Sequence, residues 1–251
     1  MDWFSLQFAI FLVATFAGAF IAGISGFAFG LIVASLWLYV LSPLQTATLV
    51  VGFGLVVQTY SVWKVRSSLN WKLLVPFVVG AAFGVPVGVL ALTVANPAQV
   101  RFGIGAFLIV FSLWSLFRPP IRPIAWGGAA ADAAVGFLNG ALAGMTGLAG
   151  ILVIIWCGLR GWSKDRQRAI FQPTAVAIFV MTALWLGARG AISVDIISLF
   201  AAGLPVLLLG TWAGMKVYGR IDEATFRKIV LALLLLSGAM FVISELRNAL
   251  T

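Results

Sequence analysis

The chain has 251 residues, of which 63% are hydrophobic and only 9% charged; 16 are Lys or Arg, 7 are Asp or Glu, and none is His. Soluble domains carry about 25% charged residues, so this composition excludes a soluble protein and predicts a polytopic integral membrane protein. Without His, acid–base chemistry near neutral pH loses its usual side chain, and the single Cys157 excludes an intramolecular disulfide or a multi-Cys metal site.

Residues 1–7 hold Asp2 and no basic residue, and the apolar stretch that follows outruns the roughly 7–15 residues of a signal-peptide core. It is read as a retained first span. A bilayer core of about 30 Å takes about 20 apolar residues per helix. Gly/Pro breaks and charge clusters then divide the chain into ten segments: 6–23, 27–41, 44–63, 71–94, 98–117, 127–144, 147–160, 170–188, 194–217 and 225–246. Segments 27–41 and 147–160 are short for a full span. Each is expected to tilt, or to form a re-entrant hairpin with the segment before it.

If all ten cross, one face receives Lys64, Arg66, Lys72, Arg118, Arg122, Arg160, Lys164, Arg166, Arg168, Lys216, Arg220, Arg227 and Lys228. The other receives only Arg101, Arg189 and Arg247. This positive-inside bias places both termini outside the cytoplasm, and hairpins leave it unchanged because each removes two crossings. The net charge of +9 therefore reads as topology and contact with anionic lipid in the bilayer, not as a nucleic-acid surface.

The halves resemble each other. Gly23-Ile24-Ser25-Gly26 is matched by Gly144-Met145-Thr146-Gly147, each after a Gly-rich helix and before a short apolar segment. Ala47-Thr48 falls opposite Ala169-Ile170, Trp63 opposite Trp185, Gly80-x3-Gly84 opposite Gly210-x3-Gly214, and Arg101 opposite Arg227. Their common order predicts two five-segment repeats, residues 1–120 and 121–251. An odd number of crossings in each half makes the repeats inverted, as in secondary transporters whose substrate site lies at the repeat interface near the midplane.

The two breaks, running on into Phe27 and Leu148, together with the duplicated halves resemble the TauE/SafE sulfite exporter family (the TSUP transporters) over roughly residues 8–243. The resemblance implies transport of sulfite, thiosulfate, sulfonates or related small organic anions across the bacterial inner membrane. No cofactor is expected, and a homo-oligomer is compatible with the sequence. Where the family has a more Gly-rich first break, this chain has Gly26-Phe27-Ala28-Phe29-Gly30, whose two rings bear on pocket size.

Ser25 and Thr146 are N-cap residue types placed just before short helices, and Gly26 and Gly147 beside them let backbone approach a ligand. A helix N-terminus exposes unpaired N–H groups and positive dipole. Two such ends facing each other hold an anion without a fixed charge in the membrane, where Arg or Lys is costly. Phe27 and Leu148 line the same breaks. Gln58 in the third segment, Asn139 in the sixth, and Gln172 and Thr174 beside Pro173 at the start of the eighth add neutral donors. Inter-helix bonding is the competing role for each, and for Thr59.

Asp132 is the only carboxylate well inside a segment and shares a helical face with Gly136, Asn139 and Gly140. That makes it the candidate for proton or cation coupling; pairing with Arg118 or Arg122 is its structural alternative. Trp63, Trp71, Trp126, Trp162 and Trp212 fall near segment ends as interface anchors. Trp37, Trp114, Trp156 and Trp185 are assigned to packing, and Cys157 to a small apolar filler.

The sequence thus reads as a secondary transporter of a small sulfur-containing anion working by alternating access. An intramembrane enzyme would lack a nucleophile with a base, or a metal cluster. A carrier of another organic anion, or a non-transporting assembly subunit, is the alternative; flux in a bilayer without partner proteins separates the subunit from a carrier. Saturation and counter-transport separate a carrier from an anion channel.

Overall fold

The computed structural model describes residues 6–37, 40–91, 97–117, 123–146, 149–188 and 192–250, and the regular structure within them is helical. In chain order the helices are α1 (Leu6–Ser25), α2 (Phe29–Trp37), α3 (Pro43–Lys64), α4 (Trp71–Ala91), α5 (Pro97–Phe117), α6 (Gly128–Thr146), α7 (Ile151–Leu159), α8 (Lys164–Ala188), α9 (Val194–Tyr218) and α10 (Glu223–Leu250). A single 3-10 turn, Arg66–Ser68, follows α3. Each corresponds to one sequence segment. The local chemistry of their starts explains the boundaries. Ser42 and Gln45 form a reciprocal capping box at α3, with Ser42 Oγ accepting from the Gln45 N–H at 3.3 Å and Gln45 Oε1 accepting from the Ser42 N–H at 3.0 Å. Ser193 Oγ caps α9 and Asp222 Oδ1 caps α10 in the same manner.

The eighth helix departs from expectation. Ser163 Oγ accepts from the Arg166 N–H, so α8 opens at Lys164 and not near residue 170. A polar cap and a charged first turn are good helix starts even where apolar periodicity has not begun. Pro173 consequently lies inside the helix rather than in its first turn.

Among the described residues five helices are long and apolar enough to cross a bilayer: α1, α3 from Gln45, α4 as far as Gly88, α9, and α10 over Ala224–Ser244. Ten full crossings do not follow from the helix lengths. α2 and α7 have nine residues each, which at a rise of 1.5 Å is about 14 Å, under half of a 30 Å core. α6 is built largely of Ala and Gly and carries Asp132, while α8 starts on Lys164, Asp165, Arg166 and Arg168.

Both short helices fold back along the helix before them. The Trp37 indole N–H at the end of α2 donates to the Phe11 carbonyl of α1 at 3.3 Å. Likewise the Trp156 indole of α7 donates to the Asp132 carboxylate of α6 at 2.8 Å. The long helices pair as α1 with α9, α4 with α6, α3 with α8, and α5 with α10. Glycine sets the closest of these contacts. A methyl group at Gly84 or Gly88 of α4 would overlap the carbonyl oxygen of Phe137 or Ala141 in α6. One at Gly210 or Gly214 of α9 would meet the carbonyl of Phe16 or Phe20 in α1. Where α5 crosses α10, a Cβ at Gly105 would stand 2.8 Å from the Gly238 oxygen, and one at Gly238 2.7 Å from the Gly105 oxygen. Such small-residue seams are how helices associate when lipid supplies no hydrophobic drive between them.

One end of the bundle gathers Gln7, Leu41, Gln45 and Asp195 around a recess of about 300 Å³. The opposite end gathers Ser115, Trp162, Gln167 and Arg227 around one of about 640 Å³. Trp63, Trp71, Trp126 and Trp212 are exposed near helix ends, and Lys216 Nζ stands 3.7 Å from the centroid of the Trp212 ring. Trp37 is fully buried among Phe11, Phe29 and Phe53. Trp114 differs from its assignment to packing: it is 39% exposed, on a face of α5 shared with Val110 and Phe117. The side chain of Trp185 lies outside those described. Cys157 is buried and free, packed in an apolar cluster with Ile154 and Ile155.

Candidate functional site

The first break is a compact turn between α1 and α2. Gly26 has φ +89°, the left-handed conformation that glycine adopts without penalty. Ser25 Oγ donates to the Ile21 carbonyl at 2.9 Å and accepts, at 3.4 Å, from the N–H groups of Phe27 and Ala28 that open α2. Ser25 is thus the last residue of α1 and its hydroxyl braces the turn, whereas the N-cap position of α2 falls on Ala28. Gln58 of α3 donates its Nε2 to the Gly26 carbonyl at 2.8 Å. α8 closes the other side: a Cβ at Gly26 would stand 2.5 Å from Cζ of Phe171 and 2.9 Å from Nε2 of Gln172. Only hydrogen fits there.

Gln172 is fully buried, and neither atom of its amide has a hydrogen-bond partner among the described residues; Gln58 Oε1 is also without one. A buried polar group left unpaired costs about 1–3 kcal/mol, and native structures retain few of them without a purpose.

At the second break Asn139 Oδ1 accepts from the Leu152 N–H in the first turn of α7 at 3.2 Å, while its Nδ2 is buried without a partner. Gly150, φ +101°, immediately precedes α7. A Cβ there would stand 3.9 Å from Cδ2 of Phe171. The same ring thus stands against the first break, where Ser25, Gly26, Gln58 and Gln172 gather, and near Gly150 at the second, where Asn139 holds the start of α7. Thr146 is the last residue of α6, with its side chain outside those described, and Gly147 and Leu148 lie outside the described residues. Phe27 is nearly buried in the apolar cluster that includes Phe77, Ile151 and Phe171. The Thr174 hydroxyl donates to the Ile170 carbonyl of its own helix at 2.8 Å, and Thr59 is exposed on the outside of α3.

Asp132 is not part of this cluster. Its Oδ1 receives the Arg160 guanidinium and the Trp156 indole, both at 2.8 Å, in the first turns of α6. Among the described residues its ionic partner is Arg160, because α7 folds back and delivers the residue after its last turn beside the start of α6; Arg118 and Arg122 lie outside the described residues. Asp132→Asn is expected to destabilise the protein by about 3–5 kcal/mol, as breaking a buried ion pair does. Thermal unfolding of the purified variant checks this, and the pH dependence of its flux, if unchanged, removes Asp132 from coupling.

Arg168, which the positive-inside count places on the cytoplasmic face, is fully buried. Its NH2 donates to the carbonyls of Gly23, at 2.7 Å, and Ile24, which end α1. The guanidinium also stacks on Tyr218, with Cζ 3.7 Å from the ring centroid, and reaches Met215 Sδ. The C-terminal carbonyls of a helix lack intrahelical donors, and a cation there also meets the negative end of the helix dipole. Arg168 stands one turn before Gln172 on the same face of α8. Had Ser163 been read as an N-cap, that spacing was available in the sequence.

A family model described as Sulfite exporter TauE/SafE matches residues 10–241, a span that includes both breaks and every side chain just placed around them. The chain belongs to the TauE/SafE family. TauE/SafE proteins are membrane transporters and not enzymes. Among the described residues no three His, Cys, Asp or Glu side chains come together as a metal site. No curated protein and no solved structure matches the chain. At the first break of this TauE/SafE protein stand Phe171 and Gln172, an aromatic ring beside an amide that has no partner among the described residues.

Proposed function

We propose that this protein carries a small sulfur-containing anion, namely sulfite, thiosulfate or an organosulfonate, across the bacterial inner membrane by alternating access. The observation that carries the reading is the buried amide of Gln172, unpaired and directed at the Gly26 break. Sulfonate and sulfite oxygens accept hydrogen bonds, so the ligand supplies what Gln172 Nε2 and Asn139 Nδ2 lack. Ser25, Gly26, Phe27, Gln58 and Gln172 form one wall of the proposed site. The proposal also assigns Asn139 and Thr174 to the site, together with Thr146, Gly147 and Leu148, of which Gly147, Leu148 and the Thr146 side chain lie outside those described. The anion is held by neutral donors and helix N-termini, which avoids the cost of a free cation in the membrane.

An inverted repeat of residues 1–120 and 121–251 is part of the proposal, and the helix pairing supports it. Exchanging the halves turns the α1–α9 pair into the α6–α4 pair and returns α3–α8 and α5–α10 to themselves. The glycine seams refine the register. Phe16 and Phe20 correspond to Phe137 and Ala141 at the same sequence offset that relates Ser25 to Thr146. Gly210 and Gly214 then answer to Gly84 and Gly88, one turn beyond the Gly80 and Gly84 of the sequence comparison. In this reading both termini lie outside the cytoplasm, and the basic recess around Arg227 is the cytoplasmic mouth.

Uptake into proteoliposomes holding the purified protein alone tests the function. The panel is sulfite, thiosulfate, sulfoacetate, taurine and acetate, with and without a pH gradient. Saturable uptake of a sulfur oxyanion or sulfonate is the expected result. Uptake confined to acetate would move the assignment to carboxylates, and no uptake by folded protein would remove the carrier function.

A further inference from the structure

We infer that Phe171 is the occluding and size-determining side chain of the transport site, its ring standing where the body of the substrate has to sit. The inference rests on the anion-binding reading above and goes beyond it by naming what limits the substrate. Phe171 is fully buried in α8, next to Gln172. The ring edge runs from one break to the other: Cζ and Cε2 lie 2.5 and 2.8 Å from where a Cβ on Gly26 would stand, and Cδ2 lies 3.9 Å from that of Gly150. Both glycines hold positive φ, a conformation that residues with a side chain rarely adopt.

An aromatic ring is a poor neighbour for unpaired amides. Gln172 Nε2 and Oε1 are buried without partners, and the ring beside them offers no acceptor oxygen. The body of the ring packs in the apolar cluster with Phe27, Phe77 and Ile151, while its edge and the Gln172 amide both stand against the Gly26 turn. A ligand between the breaks therefore requires Phe171 to turn aside, and the room it vacates sets the largest group the ligand can carry. Truncation to alanine opens a space of roughly the size that accepts benzene in other apolar interiors. A sulfonate bearing a phenyl group then replaces the lost ring with its own and keeps its oxygens for the amide.

The test compares binding of methanesulfonate and benzenesulfonate to wild type, Phe171→Ala and Phe171→Leu, all as full-length protein in nanodiscs. The preference for benzenesulfonate over methanesulfonate is expected to rise at least tenfold in Phe171→Ala and by a smaller factor in Phe171→Leu. An unchanged preference in both, with methanesulfonate binding intact, overturns the role of Phe171 and leaves the anion site standing. Failure of folded wild type to bind any sulfonate or sulfite overturns the anion reading itself, and this inference with it. Should the truncations not fold, 4-fluorophenylalanine at position 171 is close to isosteric. Its fluorine resonance is expected to shift when methanesulfonate saturates the site, and no shift at saturation overturns the inference.

Discussion

Gln172→Leu is expected to raise stability while lowering transport at least tenfold, two effects of opposite sign from one substitution. Leucine has nearly the volume of glutamine, so the packing of α8 against the Gly26 turn is kept. What disappears is an amide whose oxygen and nitrogen are both buried and unpartnered. Removing it relieves a desolvation penalty of about 1–3 kcal/mol per unpaired group, and the ligand-free protein should unfold at a higher temperature by a few degrees. The same change deprives the anion of its best-placed donor. A hydrogen bond to a charged partner contributes about 1.5–3 kcal/mol, which is roughly ten- to a hundredfold in affinity. Gln172→Glu should be worse for transport than leucine, because a carboxylate repels the ligand. Thermal unfolding and saturable uptake, measured on the same preparations, decide the matter. A destabilised Gln172→Leu with normal uptake would make Gln172 a packing residue. This pattern is the one expected of a binding site, where polar groups are kept unpaired at a cost to the fold.

Replacing Arg168 by methionine is expected to destabilise the protein by about 3 kcal/mol. Methionine fills the aliphatic part of the space but leaves the carbonyls of Gly23 and Ile24 without their donor. Each buried carbonyl so stranded costs about 1–3 kcal/mol, and the stacking on Tyr218 is lost as well. Part of this is offset because a charge no longer has to be desolvated. Arg168→Lys is expected to recover less than half of the loss, since an ammonium has no planar fork with which to serve two carbonyls and a ring together. Denaturation midpoints of the three proteins check the order wild type, lysine, methionine. Methionine at or above wild type would show that the end of α1 needs no cap. The change should also loosen the first break, because the same carbonyls lead directly into Ser25 and Gly26.

The helix breaks and most helix boundaries were legible because they are properties of short windows. Gly26 sits in a left-handed turn, the Ser25 hydroxyl braces it, and Ser42 with Gln45 forms a capping box, all within a few residues of chain. Long apolar stretches likewise announce α1, α9 and α10 without reference to anything they touch. A window with mixed signals is less legible: the first turn of α8 is charged, so its apolar pattern begins only near residue 170, yet the helix starts at Lys164, with Pro173 inside it and Arg168 buried.

By itself, then, the sequence determined the membrane class, the set of helical segments, the paired breaks and the exclusion of His- and multi-Cys-based chemistry. Those follow from composition and from interactions spanning a turn or two. Partners across the bundle were decided only by tertiary structure. Arg168 reaches a carbonyl 145 positions away in the chain, and Asp132 finds Arg160 only because α7 folds back on α6. Phe171 comes to stand beside Gly26 and near Gly150 because α8 packs against α3, α4 and α7, helices far from it in the chain or beyond a turn. The physical reason is common to all three. In a membrane bundle, hydropathy fixes which segments enter the bilayer but is nearly indifferent to their neighbours, so close packing and buried polar pairing select the partners.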